Sequence, residues 1–192
     1  VGSGVGAKNG ILFKTAASLE HTGRTRIVAL DKTGTITSGQ PEVTDLIPAS
    51  GVSEAELLQA AVSLEAKSEH PLAAAIMKRA EQTNTQPEPV TAFQAIAGSG
   101  LRAEVSGAQL HGGSVRYMTS QLTLSPELAR QADALSQAGK TPLLFAKNGK
   151  LLGMIAVADA IKPDSPEAIR QLRGMGVQGC AVQGTVKSVS QG

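Results

Sequence analysis

The stretch that most constrains this chain is the apolar run Ile27, Val28, Ala29 and Leu30, which ends in Asp31 and passes into Lys32, Thr33, Gly34 and Thr35. A short aliphatic and β-branched run of this kind predicts a buried strand. Its last residue then delivers a carboxylate to the carboxyl end of that strand, the place where open α/β sheets carry out chemistry. Around Asp31 lie a cation, two hydroxyls and a flexible glycine. Such a set suits a carboxylate nucleophile acting on a phosphoryl group. Read without context, the same residues also describe a solvated turn after a core strand.

Composition narrows the choice of function. The 192 residues leave room for one large or two small domains, and 41% hydrophobic content is ample for a core. With no Trp, one Tyr and three Phe, that core must be built from Ala, Val, Leu and Ile. Base-stacking platforms are not expected. The net charge of +2 is spread without basic runs, so no nucleic-acid partner is expected either. Cys180 stands alone, which excludes an internal disulfide framework and fits a reducing compartment. His21, His70 and His111 do not combine with it at metal-ligand spacing. No run of about eighteen apolar residues occurs, so the chain is expected to be soluble.

Taken in order, the glycines at 2, 4 and 6 read as a flexible leader, and Ala16, Ala17 and Leu19 as a short helix stopped at Gly23. Residues 41–47 alternate as a strand. Ser53 and Glu56 form a capping box opening a helix with Leu57, Leu58, Ala61, Val62 and Leu64 inward. Pro71 opens a second helix through Leu72, Ala75, Ile76 and Ala80. Residues 83–89 are a loop by their proline content and polarity. Gly98-Ser99-Gly100 precedes a hairpin of residues 101–105 and 108–111, turned at Ser106-Gly107 and followed by Gly112-Gly113. Ser125 opens a further helix ended by Gly139. Asn148-Gly149 joins two apolar runs as a hairpin, and Ser165-Pro166-Glu167 starts a last helix.

The string Asp31-Lys32-Thr33-Gly34-Thr35 resembles the phosphorylation motif of the P-type ATPases. Ser68-Glu69-His70-Pro71-Leu72, together with the sequence from Gly10 to Lys14, resembles the heavy-metal, copper-exporting group of that family. The resemblance implies a haloacid-dehalogenase-like, Rossmann-type α/β phosphorylation domain, incomplete, with an inserted α+β nucleotide-binding domain. The implied divisions are residues 1–43, a membrane-exit linker with the first part of the phosphorylation domain; 44–137, the nucleotide-binding domain; 138–177, the return to the phosphorylation domain; and 178–192, a divergent tail. Asp31 would accept the γ-phosphoryl group of ATP, with Lys32 and Thr33 beside it. Asp31 and Thr33 would contribute to an incomplete Mg2+ site.

Nucleotide contacts are implied for Glu65, Glu69, His70, Gly98, Gly100, Gly112 and Gly113. The chemistry is reasonable: a helix N-terminus offers amides, an imidazole can lie against a purine, and a carboxylate can accept from an exocyclic amine. A lone His before Pro is otherwise an ordinary helix-start residue, and one G-x-G is usually a tight turn. Gly113 stands where the family commonly has Asn. Asp159, Lys162 and Asp164 match the charged segment by which the chain re-enters the phosphorylation domain. After Val177 the expected T-G-D-N string does not follow. Gln183, Gly184 and Thr185 occupy its place.

The implied partners are ATP, the membrane helices and actuator domain of the same transporter, and copper or another heavy-metal ion. The implied location is the cytoplasmic side of the membrane. The piece itself is expected to bind nucleotide but to be catalytically impaired. Its parallel strand is expected to lack neighbours, leaving an edge open to self-association. Two alternatives stand beside this: a haloacid-dehalogenase-type phosphohydrolase, or a nucleotide-binding or interaction module without turnover. Phosphohydrolases of that type use a second Asp two positions after the first as acid and base. Thr33 holds that position here and cannot serve so, which favours a phosphoenzyme that persists.

Overall fold

A computed structural model of the chain describes residues 2–96 and 98–182, with side chains through Gln178. The positions of Gln183, Gly184 and Thr185 lie outside the described residues. Two compact units emerge: one from the residues up to Ser38 and from Ile161 onward, the other from Gly39–Ala160.

In the first unit, helix α1 (Gly2–Lys8) occupies the glycine-rich start that composition assigns to a flexible leader. Helix α2 (Ala16–Gly23) is capped by Thr15, whose hydroxyl accepts the Ser18 amide at 3.1 Å, and it ends at Gly23 as expected. Strand β1 (Ile27–Asp31) pairs in parallel with β8 (Gln178–Val182), Asp31 opposite Val182. This corrects the expectation that β1 has no parallel neighbour. The strand is also not buried throughout. It alternates, with Ile27 64% exposed, because β8 is its only strand partner among the described residues. Helix α7 (Ser165–Gly174) precedes β8.

The second unit is built on a six-stranded sheet in the order β2-β7-β6-β5-β4-β3. Its strands are β2 (Thr37–Pro48), β3 (Thr91–Ile96), β4 (Gly100–Val105), β5 (Ala108–Ser114), β6 (Thr141–Lys147) and β7 (Lys150–Ile161). Helices α3 (Glu54–Glu65) and α4 (Pro71–Gln82) cover one face, with Leu57, Val62, Leu64 and Ile76 fully buried. Ser53 caps α3 by accepting the Glu56 amide at 3.1 Å, as the capping box requires. Helices α5 (Val115–Gln121) and α6 (Pro126–Gln137) contribute Met118, Leu128 and Ala132 to a second cluster. Helix α5 was not expected: at under two turns its apolar pattern is too short to read.

Strand β6 is the centre of this unit. Leu143 and Phe145 enter the α3/α4 cluster while Leu144 and Ala146 enter the α5/α6 cluster, so the strand is buried on both faces. A strand covered on both sides reads as a continuous apolar run, the same signature as a parallel strand. The family resemblance implies that residues 138–177 belong to the returning phosphorylation domain, and an apolar run of this kind does not contradict that. In the structure β6 pairs antiparallel with β5 and β7, so this hairpin belongs to the inserted sheet and the chain leaves it only near Ile161. The Asn148-Gly149 turn has φ of 49° and 74°, as an Asn-Gly hairpin demands.

Among the described residues the exposed large hydrophobics are Val5, Ile11, Leu12, Ile27, Ile161 and Met175, and all six lie in the first unit. The 39–160 unit closes over its own apolar surface. Expressed alone, residues 39–160 should give a dispersed amide NMR spectrum and a cooperative thermal transition. Residues 44–137, lacking Phe145, Leu144, Met154 and Ile155 from the core, should remain unfolded. Equal folding of the two pieces would contradict this assignment of β6 and β7.

Candidate functional site

Asp31 is exposed at the tip of β1, and the chain turns directly after it through Lys32–Ile36. Gly34 sits at φ 77°, a backbone region that side chains with Cβ rarely adopt, and it makes the reversal. The loop is closed behind by Thr37, which is 1% exposed. Both its amide and its hydroxyl donate to the Lys32 carbonyl, the hydroxyl at 2.9 Å. Further along the chain, the Lys162 ammonium donates to the Gly34 carbonyl at 2.7 Å and the Lys162 amide to the Ile36 carbonyl at 3.0 Å. The Ser165 hydroxyl donates to the same Ile36 carbonyl at 2.8 Å. Sequence reasoning noted Lys162 only as part of a charged segment and Ser165 only as a helix start. Nothing local in the sequence marks Ser165 as a partner of residue 36.

The second group of candidates lies in the 39–160 unit. Glu65, at the end of α3, is only 7% exposed, and burial pushes its carboxyl up to about 7 although the Ser68 hydroxyl works in the opposite direction. After the turn, His70 caps α4: its Nδ1 accepts the Leu72 amide at 3.2 Å, and its own amide donates to the Ser68 hydroxyl at 3.3 Å. In the neutral ring this assignment leaves the proton on Nε2, a donor. His70 and Glu69 are both exposed. Leu64, Leu72 and Leu101, chain neighbours of Glu65, Pro71 and Gly100, all join the α3/α4 cluster. Glu65, the His70 turn and the start of β4 are thereby tied to one core.

The glycines divide into two kinds. Gly98 has φ 67° with open space around it, a turn position of the expected kind. Gly100, Gly112 and Gly113 are instead pressed by the protein itself. A Cβ on Gly100 would stand 2.5 Å from both the Gly112 carbonyl and the Tyr117 ring. On Gly112 it would stand 2.7 Å from Leu64 and Phe145, and on Gly113 2.5 Å from the Ser99 carbonyl. Gly100 pairs with Gly113 across β4 and β5, and Tyr117 lies over both. Close packing therefore already requires these residues to be glycine. Tyr117 was not anticipated, since α5 itself was not. A cavity of about 380 Å³ opens elsewhere, over the polar strand face formed by Gln94, Arg102, Glu104, Gln109 and His111, and contains none of these candidates.

Among the described residues no group of three His, Cys, Asp or Glu side chains comes together that could hold a metal ion. Asp31 and Thr33 alone do not fit a magnesium centre, which needs several fixed oxygen ligands. Among the described residues no helix is long and apolar enough to cross a membrane.

Residues 25–190 match the haloacid dehalogenase-like hydrolases. The chain belongs to that family. This haloacid dehalogenase-like chain is 40% identical over 185 residues to copper-transporting ATPase 1 of Rhizobium meliloti, taking in 96% of this chain and 22% of that protein. It is 40% identical over 191 residues to the probable copper-importing P-type ATPase A of Enterococcus hirae, taking in 100% of this chain and 26% of that one. A zinc-transporting PIB-type ATPase in the E2.Pi state superposes with a TM-score of 0.80 at 36% identity, covering 94% of this chain and 29% of the other. The chain thus spans about a quarter of the length of these relatives. The resemblance carried by Asp31 to Thr35 and by Ser68 to Leu72 is borne out at the level of the family and of these relatives.

The raised Glu65 carboxyl makes a stability prediction with a definite sign. Between 4.5, its ordinary value, and about 7, the folded chain holds a proton that the unfolded chain has lost. The contribution is fully present below 4.5 and disappears as pH rises through about 7, on the order of 3 kcal/mol in all. E65Q should flatten this part of the curve in urea unfolding between pH 4.5 and 7.5. Unchanged pH dependence in E65Q would refute it.

Proposed function

We propose that this chain is the nucleotide-binding and phosphoryl-accepting part of a heavy-metal-transporting P-type ATPase. The observation that carries the reading is Asp31, exposed at a parallel strand tip and followed by a loop whose carbonyls are tied back by Thr37, Lys162 and Ser165. It is supported by relatives whose names describe copper-transporting ATPases. In the proposed reaction an Asp31 carboxylate oxygen attacks the γ-phosphorus of ATP. The bond from that phosphorus to the bridging oxygen breaks, and ADP leaves. Water later cleaves the acyl phosphate, returning the carboxylate and releasing phosphate. Thr33 lacks a carboxyl to catalyse that hydrolysis, which suits an intermediate meant to last through a transport step.

Nucleotide is held by the 39–160 unit. Glu65, in its ionised form, accepts from the exocyclic amine of the base. His70, oriented by its bond to the Leu72 amide, lies against the ring, and Gly98 lets a ligand approach the backbone. Gly100, Gly112 and Gly113 act indirectly, by letting β4, β5, Tyr117, Leu64 and Phe145 pack closely behind that region, and Glu69 adds an exposed carboxylate beside His70. The transported ion is copper on this reading, chosen by membrane segments of the intact transporter. The piece works on the cytoplasmic side of the membrane, together with the actuator domain. No oxygen donors beyond Asp31 and Thr33 join a magnesium site among the described residues, so transfer by this chain alone is slow.

Backbone NMR with increasing ATP tests the reading. Shifts should concentrate at residues 65–72 and 98–113, and H70A should weaken affinity about tenfold, the loss of roughly one interaction of 1.4 kcal/mol. Tyr117 is the only Tyr in a chain without Trp, so its emission gives a second readout of the same titration. Radiolabel from the γ-position should reach Asp31 far below one turnover per second, and not at all in D31N. Shifts scattered outside those residues, or equal affinity in H70A, would remove the nucleotide assignment.

A further inference from the structure

Three carbonyls of the loop after Asp31 are held by donors from outside it: Lys32 by Thr37, Gly34 by Lys162, and Ile36 by Lys162 and Ser165. Thr37 is part of the loop's own exit. Lys162 and Ser165 are not: they lie 128 and 129 residues along the chain from the atoms they bind. From this geometry we infer that Lys162 is a positioning residue for Asp31 chemistry, its ammonium fixing the Gly34 peptide and hence the direction of the loop amides beside the carboxylate. The inference rests on the phosphoryl-acceptor reading above and deepens it.

Gly34, at φ 77°, is the most freely rotating residue of the loop, and its peptide can turn over with little steric resistance. The Gly34 carbonyl points to Lys162, so the Thr35 amide of the same peptide points the opposite way, and a peptide that turns over puts the carbonyl where that amide had been. For an incoming phosphoryl group that swaps a donor for a repelling oxygen. The Lys162 ammonium prevents it, because a charge-assisted bond of 2.7 Å to the Gly34 carbonyl holds one orientation only. Lys162 also uses its own amide on Ile36, so its main chain and side chain grip the loop at two points. Ser165, 8% exposed, adds a second bond to the Ile36 carbonyl from the first turn of α7. Lys162 is half-buried, so water competes with this bond less than at an exposed lysine. The role differs from that of a lysine touching phosphate in that it acts through one N–H given to a carbonyl of the chain.

The effect of such a brace falls on the transfer step and not on nucleotide binding, which belongs to residues of the 39–160 unit. The test compares wild type, K162M, K162R, S165A and D31N as full chains. Amide exchange by NMR at residues 33–36 should quicken about tenfold or more in K162M, less in S165A, and stay near wild type in K162R. Single-turnover label transfer from ATP to Asp31 should fall about tenfold in K162M and recover in K162R. Nucleotide affinity read from Tyr117 emission should be the same in all. Unchanged exchange at 33–36 in K162M would overturn the inference, and so would equal loss of transfer in K162R and K162M. Wild type labelling no better than D31N would instead overturn the phosphoryl-acceptor reading, and the exchange data would then decide by themselves whether the brace exists.

Discussion

A carboxylate placed at a strand tip needs the chain to turn sharply behind it, and a sharp turn leaves carbonyls that must find donors. Here the donors arrive in part from far along the sequence. Lys162 and Ser165 satisfy Gly34 and Ile36 across a separation of 128 and 129 residues. The loop in the form described cannot exist until the chain has returned. Everything between Gly39 and Ala160 is therefore free to be a separate structure, provided that it hands the chain back at the right place. The insertion does so through β2 and β7, neighbours in the sheet, which carry the chain out and back side by side.

The inserted unit meets a different demand. It must be stable while carrying a buried, uncompensated acid. Glu65 is buried, the Ser68 hydroxyl favours its charge only in part against that burial, and its carboxyl is correspondingly reluctant to ionise. A residue there chosen for stability alone would be apolar. The cost is offset by a two-sided core in which β6 contributes to both layers. A similar double demand falls on His70, which caps α4 and, on the proposed reading, also offers its exposed ring to nucleotide. Substitution there removes two things at once, and only a stability measurement alongside a binding measurement separates them. Asn, which can also cap, is the more informative replacement than Ala.

Much of this was legible in sequence because the signals were local. The capping box at Ser53 and Glu56, Pro71 at the head of α4, the Ser125 cap and the Asn-Gly turn each involve residues within a few positions of one another. What was not legible is non-local. The apolar run of β6 looks the same whether it lies in a parallel sheet or at the centre of an antiparallel one, and only its pairing with β5 decides. The glycines show the same limit. Gly98 is glycine for its own backbone, whereas Gly100 and Gly112 are glycine because Tyr117, Leu64 and Phe145 occupy the space. The first reason can be read from a turn. The second needs the neighbours.

This division bears on how ligand recognition and chemistry can be separated in one chain. Among the described residues the 39–160 unit leaves no large hydrophobic fully exposed, while the other unit has Ile27, Ile161 and Met175 among its exposed residues. In the other unit the described parallel pairing has two strands, and the loop after Asp31 is fixed by specific polar contacts. Hydrogen bonds to a loop carbonyl act over short distances and in one direction. They hold a peptide orientation without burying it, which leaves Asp31 exposed and still defined in geometry. Packing could fix the loop equally well only by covering the carboxylate, and a covered carboxylate cannot meet a phosphoryl group.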